Sequence, residues 1–411
     1  VSYLDLNYTP SSGDLVCEFY YEVEGIPHLE AAERIAAESS IGTWTALTTM
    51  KDEIKRKLAP KVFYHDLESK TAKIAYPQVL FEEANMPQIL SSIAGNIFGL
   101  KEVTHLRLLD VIFPEGIVRS FKGPKFGIEG IRDLTGIKNR PFIGTIIKPK
   151  LGLNAKEHAK VAYEAWVGGV DIVKDDENLA NMKFNPFSKR IKETLRMRDK
   201  AEEETGEKKI YMPNITAETL EMLERARLVK ENGGEYIMVD ILTSGWASLQ
   251  TIRNAGLDRV IHAHRAGHAA LTRHKRHGIS MKVIAKIARL IGVDQLHIGS
   301  FGVGKMKGSP DEDLQYKAVL EEEIGLRKVL SVASGGLHPG IVDDLIKISG
   351  INVVIQAGGG IHGHDEGTRA GATAMRQAVS AVVEGISLKE YAENHRELKI
   401  ALEKWAPEKL R

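Results

Sequence analysis

From about residue 124 onward the chain repeats one rhythm: a short run of β-branched and aliphatic residues, a polar cluster, then a longer stretch with apolar residues three and four apart. The short runs are PFIGTIIKPK (141–150), VDIVKDDEN (170–178), KKIYMPNIT (208–216), EYIMVDILTSG (235–245), RVIHAHRA (259–266), DQLHIGS (294–300), VLSVASGG (329–336) and INVVIQAGGG (351–360). The runs read as strands and the stretches between them mostly as amphipathic helices. Eight such units over about 250 residues predict a (β/α)8 barrel rather than an open doubly wound sheet. SLKEYAENHRELKIALEKW near the C-terminus predicts a closing amphipathic helix.

The first part of the chain has a different pattern. DLVCEFYYEV alternates as a strand, HLEAAERIAAESS has helical spacing, TAKIAYPQ reads as a strand and MPQILSSIAGNIFGL as a helix. The expected division is an α+β domain with an antiparallel sheet over 1–122 and a barrel domain with C-terminal helices over 123–411.

Composition changes this picture little. A hydrophobic fraction of 43% and a charged fraction of 27% over 411 residues suit a soluble protein with a large core. A formal net charge of +1 gives no electrostatic reason to expect nucleic acid or an anionic membrane as partner. The single cysteine, Cys17, excludes an intrachain disulfide, and neither a signal peptide nor a stretch of about 18 apolar residues is found. A cytoplasmic protein is expected.

The barrel pattern gives the polar clusters one address, because catalytic groups of such folds come from the C-terminal ends of strands. The run Lys174, Asp175, Asp176, Glu177 at the second strand end is the most pointed of them. Asp176 and Glu177 supply hard oxygen ligands suited to a partly hydrated Mg²⁺. A lysine ammonium beside that cation would repel it. A neutral Lys174, its pKa lowered by Lys148, Lys150 and burial, can instead take up CO₂, and the carbamate becomes a third anionic ligand.

Other clusters were weighed the same way. SGG (334–336) and GGG (358–360) place backbone N–H groups after the seventh and eighth strands, where barrel enzymes commonly bind phosphate. HAHRAGHAALTRHKRHG (262–278) suggests zinc at His262 and His264, but no third ligand follows at suitable spacing, and a phosphate clamp by Arg265 is the better reading. GSFGVGKM (299–306) fits G-x-x-x-x-G-K, yet Met306 replaces the hydroxyl residue a nucleotide-binding loop needs. A glycine-rich loop carrying Lys305 over the barrel mouth explains it better.

Lys-Pro-Lys after the first strand, Lys-Asp-Asp-Glu-Asn after the second, His-Ala-His-Arg after the fifth and Gly-Lys on the sixth loop together resemble the large subunit of ribulose-1,5-bisphosphate carboxylase/oxygenase (RuBisCO). The resemblance runs in family order from AAESSIGTWT (36–45) through GGGIHGH (358–364). VGKMKGSPDED, with the absence of the longer terminal segments of plant-type chains, makes the chain most similar to the archaeal form III branch. The resemblance implies a ferredoxin-like first domain and Mg²⁺-dependent carboxylation and oxygenation of ribulose 1,5-bisphosphate, CO₂ and O₂ being the gaseous substrates.

It also implies roles. Lys174 becomes the lysine carbamylated by an activating CO₂ and, with Asp176 and Glu177, holds Mg²⁺; the carbamate takes the C3 proton to give an enediolate. Lys148 serves proton transfer near C2, Lys150 supports it, and His264 assists at O3. Lys305 orients the substrate CO₂. Arg265 and His297 grip one phosphate, Gly336, Gly358 and Gly359 the other, and Ser334 binds a substrate hydroxyl. Glu38, Thr43, Trp44 and Asn96 match residues donated to a partner's active site, which implies a homodimer or an oligomer of dimers. No small subunit is expected.

Two departures stand out: Ile146 where many members have threonine, and Lys307 where plant-type chains have an acidic residue. The competing expectations are a RuBisCO-like enolase or isomerase of a related sugar phosphate, and a non-catalytic sugar-phosphate-binding barrel. The form III likeness suggests AMP metabolism, the salvage of nucleotide-derived pentose, with carbon dioxide fixation in a classical cycle as the alternative.

Overall fold

A computed structural model describes residues 2–305 and 308–411. The chain forms two compact units: residues up to Gly123 together with Gly267–Ile291, and Pro124–Ala266 together with Gly292–Arg411.

The first unit is built on strands Asp14–Val23, Lys61–Asp66, Thr71–Pro77 and Val103–Ile112. They lie antiparallel in the spatial order fourth, first, third, second. Helices His28–Glu38 and Met86–Ile93 fall after the first and third strands, which completes the β-α-β-β-α-β order of a ferredoxin-like domain. Alternation sets the buried face of the first strand, where Leu15, Cys17, Phe19 and Tyr21 are fully enclosed. Lys61–Asp66 and Val103–Ile112 were not predicted; charged and polar residues interrupt their apolar alternation. The short strand Gly278–Ile279 joins this sheet in parallel beside Arg107 and Leu108.

The second unit is the eight-stranded parallel barrel. Its strands are Phe142–Ile146, Ile172–Lys174, Ile210–Met212, Tyr236–Asp240, Val260–His264, Gln295–Gly299, Leu330–Ser334 and Val353–Gln356, each within one of the eight predicted runs. The eighth pairs with the first. The ring closes between third and fourth, where Ile215 N–H donates to Met238 O at 3.0 Å and Met238 N–H donates to Pro213 O at 2.9 Å.

Helix Gly127–Thr135 closes one mouth of the barrel. Its Ile128 and Ile131 pack in one cluster with Phe142, Ile172, Ile210, Tyr236, Val260 and Leu330, all near strand starts. Buried Asp294 ties this plug to the wall by accepting from Phe126 N–H (2.7 Å), Gly127 N–H (2.9 Å) and Ile261 N–H (2.8 Å). Opposite, the polar residues read as a site lie at the strand ends or in the loops just beyond them. After the first strand, Asn154 and Glu157 form a capping box that starts helix Ala155–Gly168.

The predicted closing helix is two helices, Leu388–Ala392 and Arg396–Trp405. Between them the His395 ring stacks on Tyr391, with centroids 3.8 Å apart, and its Nδ1 lies 2.7 Å from Tyr391 O. That contact occupies the carbonyl which would otherwise continue the helix to residue 395. Among the described residues no helix is long and apolar enough to cross a membrane.

Candidate active site

Strand alternation at the second strand end decides which of the neighbouring charged residues share a side. Asp175 is fully buried and turned onto structural partners: Tyr211 OH donates at 2.7 Å, Asn214 N–H at 3.0 Å and Arg190 Nε–H at 3.1 Å, with His158 Nε2 at 3.0 Å. Burial alone would raise its carboxyl, but Arg190, His158 and Tyr211 overcome that and hold it far below the usual range. Asp175 is thus a wall anchor rather than a free ligand.

Lys174, Asp176 and Glu177, the residues read as metal-holding from the sequence, lie on the other side. The Lys174 amine is 1% exposed, donates to Asp175 O at 2.9 Å and lies 3.6 Å from Glu177 Oε2. Burial lowers its pKa despite the surrounding carboxylates. Asp176 accepts from Asn178 N–H at 3.1 Å and from the Lys148 ammonium at 3.2 Å. Burial pushes its carboxyl up, and the Asn178 amides and Lys148 pull it net below its ordinary value. Asn214 Nδ2–H donates to Glu177 O and Leu179 O, both at 3.1 Å, which fixes the backbone carrying these groups.

The fourth and fifth strand ends face the same amine. His264 Nε2 is 3.6 Å from Glu177 Oε2, and its Nδ1 is 3.9 Å from Asp240 Oδ1. Burial, above all, holds the His264 imidazole neutral. Burial raises the Asp240 carboxyl to about 7, and its enclosed Oδ1 has no hydrogen-bond partner among the described residues. Asp240 stood among the strand-end polar residues in the sequence, but no motif there marks it out.

A line of side chains runs onward to the seventh strand. Gln295 Nε2 is 2.8 Å from His262 Nδ1, His262 Nε2 is 2.9 Å from His297 Nε2, and His297 Nδ1 is 2.9 Å from Ser334 Oγ. Burial drives both imidazoles to the neutral form. With His262 donating to His297 and His297 donating to Ser334, the serine hydroxyl keeps its own hydrogen available to donate elsewhere. Both His297 nitrogens are engaged here, Nε2 with His262 and Nδ1 with Ser334. Arg265 directly follows the fifth strand, its guanidinium lowered to about 10 by burial.

The glycines have a steric purpose. A Cβ on Gly358 would stand 2.9 Å from Lys148 Cε, and one on Gly336, at φ +74°, would stand 2.6 Å from Lys305 Cγ. Both positions clear the path of a lysine stem. Lys305 N–H donates to Gly335 O at 3.0 Å, which ties the loop lysine to the seventh strand end. Gly359 opens the short helix Gly359–His362, and Lys150 is exposed. Ile146, the threonine departure, ends the first strand beside Lys174 of the second.

Glu38, Thr43, Trp44 and Asn96 belong to the first unit. Glu38 ends helix His28–Glu38, Thr43 and Trp44 follow it, and Asn96 opens the turn Asn96–Gly99 against which that helix packs. Trp44 is 89% exposed. Met306 and Lys307, on which the nucleotide-loop argument and one departure rest, lie outside the described residues.

The chain matches two family models, the ribulose bisphosphate carboxylase large chain catalytic domain over residues 127–405 and its N-terminal domain over residues 2–117. It is 51% identical to a ribulose bisphosphate carboxylase of Methanocaldococcus jannaschii, over 98% of this chain and all of that one, and 50% identical to one of Methanosarcina mazei, over 98% of each. Among solved structures it is similar to the octameric enzyme of Pyrococcus horikoshii in complex with sulfate (TM-score 0.94, 48% identity, covering 98% of this chain and 96% of that one). It is also similar to the dimeric archaeal enzyme of Hyperthermus butylicus (TM-score 0.92, 44% identity, 98% of each). With both of its units matched in order and archaeal relatives half identical along its length, the chain belongs to the ribulose bisphosphate carboxylase large-chain family, on its archaeal side.

Proposed function

We propose that the chain carboxylates ribulose 1,5-bisphosphate to two molecules of 3-phosphoglycerate, with oxygenation as the competing reaction, at the Lys174 centre. The observation that carries this reading is a buried amine of lowered pKa set beside Asp176 and Glu177. Ammonium does not react with CO₂; a neutral amine does.

The donor set fits Mg²⁺ once that reaction is included. Among the described residues no three His, Cys, Asp or Glu side chains gather to hold a metal. Asp176 and Glu177 are two hard ligands, and a carbamate on Lys174 makes the third. The enclosed Asp240 Oδ1 is an acceptor without a partner among the described residues. When bound, the activating CO₂ and Mg²⁺ supply a base for the C3 proton and charge stabilisation for the oxygens of the enediolate.

The chain's own groups do the rest. Lys148, held by Asp176 and passing over Gly358, carries a proton near C2 and returns one to the product carbon. Lys150 supports that region. Neutral His264 moves a proton at O3. Ser334, oriented through His297, donates to a substrate hydroxyl. Arg265 and His297 receive one phosphate; Gly336, Gly358 and Gly359 offer backbone to the other. Lys305 orients the incoming CO₂.

The working unit is a homodimer or an assembly of dimers, in which Glu38, Thr43, Trp44 and Asn96 complete the partner's site. The relatives named dimeric and octameric support this, as does the exposed indole of Trp44. The proposed setting is cytoplasmic pentose salvage from nucleotides.

The test is incubation with Mg²⁺, bicarbonate and ribulose 1,5-bisphosphate, with 3-phosphoglycerate measured. Enolisation without carboxylated product would favour the isomerase rival, and binding without turnover the non-catalytic one. Shared sites are tested by mixing inactive Lys174→Met and Glu38→Gln proteins under subunit exchange, which should restore carboxylation.

A further inference from the structure

The sixth strand ends at Gly299, and the next helix is Pro310–Glu321. Lys305 lies on the loop between them. Ser309 starts that helix by accepting from Glu312 N–H at 3.1 Å, so Asp313 is not needed as its cap. Asp313 instead faces back across the loop base. Its carboxylate is enclosed, and Oδ2 accepts from Phe301 N–H at 2.7 Å.

Three further features concern this bond. Phe301 is fully buried with φ +54°, a left-handed backbone that an aromatic residue adopts only when its surroundings impose it. Gly299 has φ +141°, and a Cβ there would fall on the Asp313 carboxylate. Beyond Phe301 the chain turns on Ser300: Val303 N–H donates to Ser300 O at 3.1 Å and Gly304 N–H to Ser300 Oγ at 3.2 Å, before Lys305 N–H reaches Gly335 O. A continuous set of hydrogen bonds thus leads from the helix to the lysine.

We propose that Asp313 is a positioning residue for Lys305: its carboxylate clasps the first residues of the loop and so fixes where the loop lysine stands over the seventh strand end. Burial raises this carboxyl to about 6, with Phe301 N–H and Arg265 restraining the rise, so the clasp is largely anionic at neutral pH. The inference rests on the reading that Lys305 orients CO₂.

That reading supplies a discriminating readout. In that reading removal of the C3 proton precedes CO₂ addition and does not use Lys305, so exchange of that proton with solvent reports substrate binding and deprotonation independently of the loop lysine. Asp313→Ala should lower carboxylation about 10- to 100-fold, the scale of a roughly 1 Å misplacement, and leave C3-proton exchange within about twofold. Asp313→Asn, whose amide oxygen can still accept from Phe301, should recover most of the loss. The double variant with Lys305→Ala should be no slower than Lys305→Ala alone. Should Asp313→Ala not fold, Gly299→Ala displaces the same carboxylate and carries the same expectation. Exchange and carboxylation falling in parallel, or a double variant much slower than Lys305→Ala, would overturn the role of Asp313 alone. Full carboxylation in Lys305→Ala would remove the reading beneath it as well.

Discussion

Lys174 Nζ and Glu177 Oε2 stand 3.6 Å apart at the end of the second barrel strand, the amine enclosed and the carboxylate partly open. The pair is held by its neighbour: Asp175 is locked outward by Tyr211 and Arg190, so the residues on either side of it must face inward. Lys174→Met keeps the stem and removes the amine. Carboxylation should fall at least about a thousandfold, while the melting temperature stays within about 4 °C of the parent, the shift a change near 1 kcal/mol produces. More than a tenth of parental turnover in this variant would end the carbamate role.

At the opposite barrel mouth, Arg140 grips Asp171 through two bonds of 2.7 Å, and Asp171 also accepts from Ile143 N–H at 2.8 Å. The carboxylate is almost wholly enclosed. Asp171→Ala leaves a half-buried guanidinium without its carboxylate and the Ile143 amide without its acceptor, which should cost about 2–4 kcal/mol in urea denaturation. The groups proposed as catalytic lie at the other strand ends, so kcat of the folded fraction should hold. A loss below 1 kcal/mol would contradict the burial argument.

Glycine to alanine inside a helix ordinarily stabilises by about 0.5–1 kcal/mol. At Gly371, within helix Thr368–Glu384, the sign should reverse, because a Cβ there would collide with the backbone carbonyl of Ile361. Gly371→Ala should lose about 1–3 kcal/mol in denaturant midpoint measurements. A stabilised variant would show that the two backbones separate readily.

His362 gives a pH dependence. Its Nε2 lies 2.8 Å from Ile146 O and its Nδ1 3.0 Å from Thr368 Oγ1, and burial lowers the ring to about 4. The folded value lies below the unfolded one of 6.5, so its contribution is complete above pH 6.5 and is lost as pH falls through 4. The stability of the parent relative to His362→Gln should therefore shrink by about 2–3 kcal/mol between pH 7 and pH 4. Equal pH profiles for the two proteins would contradict a neutral buried ring.

The barrel was legible because a strand enclosed on both faces has to be apolar throughout, so its boundaries show as abrupt polar ends such as Lys174 and His264. The first sheet was harder to read. Val103–Ile112 carries His105, Arg107 and Asp110 between its apolar residues, and Asp110 is balanced by Lys282 and Lys286 from far along the chain. No local window contains that compensation. The same holds within the site. Lys148 and Lys174 announce themselves through their neighbours, whereas Asp240 and Asp313 are ordinary acidic residues until folding encloses them. The glycines at 336 and 358 were read from sequence as phosphate seats; that they also make room for lysine stems depends on strands far apart in the chain.

The backbone moves from one compact unit to the other at Gly123, returns at Ala266 and leaves again at Ile291. Neither body is therefore one unbroken stretch of polypeptide. A ribosome that has just released the fifth barrel strand must still deliver residues to the earlier body before it can supply the sixth. A cut at Gly123 would strand Gly267–Ile291 without the sheet edge at Arg107 and Leu108. Excision of the barrel as an autonomous fragment should accordingly yield an aggregating product, and any transplant between relatives has to carry both pieces of the smaller body together.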